Sequence, residues 1–168
     1  KPQEVSNMVW AFATVKKRHD ALFKAMGDQV VTHEHLNGFE PQHFSNIMWA
    51  YATAGVNHSK LFEKTAKHIV RLEHLRDFRP QHLSNIVWAC ATAELSHSKL
   101  FEKLANHIVG LNHLREFKPQ AIANIMWAYA TAGVNHRHLF EKVANHVVQH
   151  DHLRDFDAQA ISNIVWAY

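Results

Sequence analysis

The chain has a single cysteine in 168 residues, Cys90, which excludes an internal disulfide framework and a cysteine-based zinc site. Cys90 stands in a column occupied elsewhere by Phe12, Tyr51, Tyr129 and Tyr168, so it reads as a reduced core thiol rather than a catalytic nucleophile. Glycine and proline are scarce, at five and four residues, and with 47% hydrophobic residues this excludes a disordered chain and points to a helix-rich folded body. No apolar run reaches the ~20 residues that a membrane-crossing helix needs, and no signal or transit segment is visible at the start. Charge of one sign is lacking too. Lys and Arg interleave with Asp and Glu to a net +3, so the basic pI of about 9.1 gives only weak support to an anionic partner. Finally, there is no Gly-rich phosphate loop, no HExxH and no nucleophile with its own base, so no catalytic residue is expected.

What the sequence does have is repetition. NIMWAYATAGVNH runs from Asn46 to His58 and returns unchanged from Asn124 to His136, with a looser copy, NIVWACATAELSH, from Asn85 to His97. A step of 39 residues places Trp10, Trp49, Trp88, Trp127 and Trp166 in one column and Pro2, Pro41, Pro80 and Pro119 in another, with Ala158 in the fifth proline position. A period this regular is the mark of a solenoid. The expected fold is therefore all-α, an α-solenoid of 39-residue paired-helix repeats in a right-handed superhelix. Its units are 1–39, 40–78, 79–117 and 118–156, with a partial fifth repeat over 157–168. The sequence starts inside the motif at Lys1-Pro2-Gln3 and stops in mid-helix at Tyr168, with no polar capping repeat at either end, so a segment of a longer protein is expected.

Each repeat reads as two helices. Pro41 suits the first turn of helix A, which is apolar nearly all round and so is expected on the inner side of the stack. Gly55 and Asn57 mark a turn. Helix B then begins near Ser59, with Leu61, Phe62, Thr65, Ala66, Ile69 and Val70 on one face and Lys60, Glu63, Lys64, Lys67, His68 and Arg71 on the other, an outer amphipathic helix. The column Gly27, Ala66, Ala105, Ala144 suggests a close helix crossing, and linkers such as His74–Phe78 are expected to turn their Leu and Phe inward.

The recurrent polar residues are the candidates for binding. Asn7, Asn46, Asn85, Asn124 and Asn163 lie one turn before each Trp; an Asn ladder either contacts a ligand or ties neighbouring helix backbones together. The Trp column is expected to be buried between successive helices. Glu4, His43, His82, Ala121 and Ala160 form a column that varies while its neighbours hold, as a modular reader requires. Lys1, Glu40, Arg79, Lys118 and Asp157 precede the proline column, and Arg79 and Lys118 there could meet phosphates. The sixteen histidines fall into columns at the A-to-B turn, in the linker and on helix B. His146 and His150 have chelating spacing, but no carboxylate repeats with them, and neither metal nor cofactor is expected.

The segments PQHLSNIVWACATAELSHSKLFEKLANHIV and FKPQAIANIMWAYATAGVNHRHLFEKVANHVV resemble repeats of the octotricopeptide (OPR) class, and share the spacing of Gln, Asn, Trp and Ala found in relatives that carry a RAP domain. The resemblance covers the whole chain. It implies a paired-helix solenoid that binds single-stranded RNA on the concave surface of its A helices, with other proteins of an organellar ribonucleoprotein as further partners. It also implies a role in RNA stability, processing or translation in a mitochondrion or chloroplast. The competing readings are an armadillo-like solenoid that holds a peptide, in which the Trp precedes the Asn by four residues instead of following it by three, and a purely structural component of an organellar assembly.

Overall fold

The computed structural model describes residues 1–95, 97–149 and 155–168, and among these every regular element is an α-helix. The A helices are α1 (Pro2–Thr14), α3 (Pro41–Ala54), α5 (Pro80–Thr92), α7 (Pro119–Thr131) and α9 (Ala158–Ala167). The B helices between them are α2 (Asp20–Thr32), α4 (Ser59–Arg71), α6 (Ser98–Gly110) and α8 (Arg137–Gln149). Proline opens the first four A helices, where its missing N–H has no intrahelical partner to lose. In α9, which lacks it, the Asp157 carboxylate instead caps the Ala160 N–H at 2.7 Å. Each of the first four A helices ends as the chain passes through a left-handed residue: Lys16, Gly55, Glu94 or Gly133.

Successive A helices pack along one another extensively, whereas successive B helices touch much less, as in a curved stack with A on the inner side. The core lies between the layers. Phe44, Ile47, Met48 and Tyr51 of α3 and Leu61, Phe62, Ala66 and Ile69 of α4 are all buried, and the same columns repeat in α5 to α7. The linkers turn Leu36, Phe39, Leu75, Phe78, Leu114, Phe117 and Phe156 inward, as expected.

The turn histidines do a job that their spacing did not announce. His19, His58, His97 and His136 are the N-caps of α2, α4, α6 and α8, each Nδ1 accepting the N–H of a leucine three residues on at 3.2–3.3 Å. With Nδ1 as acceptor, the neutral ring carries its proton on Nε2. That nitrogen faces Asp28 Oδ1 in His58 and Asn106 Oδ1 in His136, both at 3.2 Å on the preceding B helix. Gly27 makes room for this arrangement: a Cβ there would lie 2.4 Å from the His58 ring, so the close approach is to a side chain rather than to a helix backbone.

A second tie joins the splayed B layer. Lys64, Lys103 and Lys142 each donate to two C-terminal carbonyls of the helix before, Val31 and His33, Val70 and Leu72, Val109 and Leu111, the first of each pair at 2.8–2.9 Å. The ammonium satisfies orphan carbonyls and opposes the negative end of the helix dipole. Lys103→Met is expected to lower stability by about 1–2 kcal/mol. Lys99→Met, one turn away at an exposed position, is expected to stay within ~0.5 kcal/mol of the parent in the same denaturant melt.

Candidate nucleic-acid interface

Helix A is buried on three sides and open on the fourth. In α3 the open line runs Gln42, Asn46, Trp49, Thr53, spaced four, three and four residues apart and so on a single face. Gln42 and Thr53 are exposed and Asn46 and Trp49 half-buried. The line repeats as Gln81, Asn85, Trp88, Thr92 and as Gln120, Asn124, Trp127, Thr131 with the same pattern of exposure. On the end helices, where one neighbour is missing, it opens further: Asn7 is exposed, and Trp10 and Trp166 are 45% and 62% exposed. The expectation of buried tryptophans is therefore corrected. Flanking A helices and the B layer cover the positions of Phe44, Ile47, Met48 and Tyr51, and the Trp position falls between these contacts, with only part of its ring packed on the core.

The asparagines share that line. Asn85 Nδ2 donates to Ser45 Oγ of the preceding A helix at 3.1 Å, a side-chain tie in place of the expected tie to backbone. Ser6, Ser45 and Ser84 form the buried serine column beneath the line. Asn7, Asn46, Asn124 and Asn163 stand at the corresponding positions of α1, α3, α7 and α9, with Asn7 the most open.

The variable column does local work. The Nδ1 atoms of His43 and His82 accept the backbone N–H of Glu40 and Arg79 at 3.0 and 3.2 Å, and the Glu4 carboxylate pairs with the amino group of Lys1 at 2.9 Å. These are third-position residues reaching back to close the helix start. Burial first, and then the Arg79 charge, hold the His82 imidazole below its ordinary pKa, so it stays neutral and its lone pair stays available. Ala121 and Ala160 are buried. Glu4, His43 and His82 thus stand at the start of helix A as capping groups, off the Asn and Trp line. Arg79 and Lys118 stand exposed at the heads of α5 and α7.

Elsewhere the chemistry is quiet. Burial pushes the Cys90 thiol up to about 12, which holds it protonated and unreactive. Among the described residues no three His, Cys, Asp or Glu side chains converge as a metal requires; His150 and His152 lie outside those residues. A cleft of about 590 Å³, lined by Lys60, Lys64, Lys67, Arg71, Glu34 and Glu63 among others, lies on the outer B layer, away from the Trp line.

A stack of helix pairs that leaves an amide and an indole at the surface once per repeat, on one layer, defines a helical-repeat binding protein. The chain belongs to the family of the RNA-editing substrate-binding complex 6 protein, whose profile matches residues 1–168, the full length given. No curated protein matches it. The family is an RNA-associated helical one, as the octotricopeptide resemblance implied, but the match does not extend to the octotricopeptide or RAP class itself.

Proposed function

We propose that the chain is a non-enzymatic RNA-binding module of an RNA-editing substrate-binding complex in the mitochondrion, holding single-stranded RNA along the exposed line of its A helices. One observation supports this most. Tryptophan is the side chain a core gains most from burying, yet in all five copies the fold leaves part of the ring open at the surface beside an amide. Indole faces stack on any base, and neighbouring Asn and Gln amides can donate to and accept from base edges. The family name supports the substrate class and a multi-protein setting, and editing assemblies of this kind are mitochondrial. The division into four repeats of 39 residues with a partial fifth is part of the same proposal.

The test is a fluorescence titration with short labelled single strands at two salt concentrations. Binding that quenches tryptophan emission and weakens modestly with salt is expected, because a net charge of +3 supplies few phosphate contacts. Arg79→Ala and Lys118→Ala are each expected to weaken all sequences alike and to lower the salt slope by about one. Unquenched emission, together with capture of an extended peptide, would favour the armadillo-like reading instead.

A further inference from the structure

Over most of its exposed surface the chain lets its repeats differ. At the head of helix B the equivalent exposed residues are Ala21, Lys60, Lys99 and His138, and before helix A they are Lys1, Glu40, Arg79, Lys118 and Asp157. The open line of the A helices does not differ at all. Gln, Asn and Trp return at the same three places in all five A helices, and Thr at the fourth place in the four that reach it. The line's glutamines, Gln3, Gln42, Gln81, Gln120 and Gln159, are every one exposed, as are Thr14, Thr53, Thr92 and Thr131, so burial in the stack does not account for their sameness. Nor does the line carry Lys or Arg in any repeat.

We infer that the line selects the same base in every repeat, so that its ligand is a single-stranded RNA run of one base: adenine, cytosine or uracil. The inference rests on the RNA-binding reading proposed above and adds what that strand contains. A helical repeat that reads RNA takes its choice of base from two or three side chains, and five identical sets make one choice five times. An amide presents a donor and an acceptor side by side, and each of the three bases carries a matching pair on an edge that a single strand leaves open. Asn85 uses one amide proton on Ser45, which fixes its orientation and leaves its Oδ1 for the ligand. Guanine is set apart because its commonest partner, Arg or Lys at O6 and N7, is missing from the line. A uniform run also suits a uniform surface in a second way. Moving the strand along by one repeat recreates every contact, so a longer run offers more equivalent registers, whereas a mixed strand offers none.

The test titrates tryptophan emission with oligo(A), oligo(C), oligo(U) and a scrambled strand of equal thirds, all of one length. One homopolymer is expected to bind about tenfold or more tightly than the other two and the scramble, since each repeat adds the same discrimination. Homopolymers within about threefold of one another, or a scramble that binds tightest, would overturn the inference and leave the RNA-binding reading standing. Failure of all four strands to bind would overturn both. Two triple variants separate reading by the amides from a preference that stacking alone creates: Gln42, Gln81 and Gln120 to Ala, and Asn46, Asn85 and Asn124 to Ala. At least one is expected to bring the homopolymers within about threefold of each other by weakening the favoured strand alone. The glutamine variant changes only exposed positions, so it reports even where loss of the Ser45 tie unfolds the other. A preference that survives in every variant that folds, or a loss shared equally by all three homopolymers, would overturn the inference.

Discussion

Replacing Trp49, Trp88 and Trp127 together by alanine is expected to lower affinity for single-stranded RNA by a hundredfold or more. Each base stacked on an aromatic ring contributes about 1–3 kcal/mol by alanine substitution, so three rings contribute at least ~3 kcal/mol, and ~1.4 kcal/mol is a factor of ten. The rings are half-buried, so the stability cost per site is expected to fall below the ~3–5 kcal/mol of a fully buried aromatic. The triple Trp→Leu variant separates the two effects. Leucine keeps most of the apolar contact with the core while removing the stacking face, so it is expected to melt near the parent and still lose RNA. Folded variants that bind like the parent would show that the indoles are packing groups only.

The largest stability effect is expected at Tyr129. Its ring is fully buried and edge-on to Phe101, and its hydroxyl ends on the Phe101 carbonyl, so alanine there loses core volume and leaves that carbonyl without its tie. Tyr129→Ala is expected to cost about 4–5 kcal/mol, a large share of a typical total of ~5–15 kcal/mol. Contact between neighbouring A helices should spread that loss to the adjoining repeats. Tyr129→Phe keeps the ring and is expected to cost only ~1–2 kcal/mol. It also carries a pH signature. Burial pushes the Tyr129 phenol well above its ordinary pKa, so the folded state holds its proton after the unfolded chain has lost it. That contribution to stability is complete below about pH 10 and is lost as pH rises past it. Denaturant melts of Tyr129→Phe are therefore expected to fall less steeply with alkaline pH than those of the parent.

Much of the fold was legible in the residues because a period is a property of the sequence alone. The prolines opening the A helices, the start of helix B beside His58 and the inward Leu and Phe of each linker all followed from spacing. The open side of helix A was not legible, because a helix apolar around most of its circumference gives no sign of which line its neighbours leave uncovered. That is why tryptophan was assigned to the interior. His43 and His82 were read as ligand contacts because their column varies, yet both reach back to the helix start, and an imidazole lone pair does there what the Glu4 carboxylate does in α1. The lysine ties were missed altogether. They join residues 31 and 33 apart, and depend on how far the B helices splay, which no local pattern encodes. The Lys64, Lys103 and Lys142 column, which ends the repeated LFEK segment and is replaced by Ala25 in the first repeat, was the available signal.

These ties give the stack a direction. Tyr51, Lys64 and Asn85 each donate to a group on the repeat before them, as do Tyr129, Lys103 and Lys142. The leading face of a repeat is thus rich in acceptors and its trailing neighbour brings the donors, so the two faces complement each other and neither complements itself. Units of this kind join by translation, never about a two-fold axis. A chain emerging from the ribosome would complete its helices in order, α2, α4 and α6 each waiting for a lysine that is synthesised some thirty residues later.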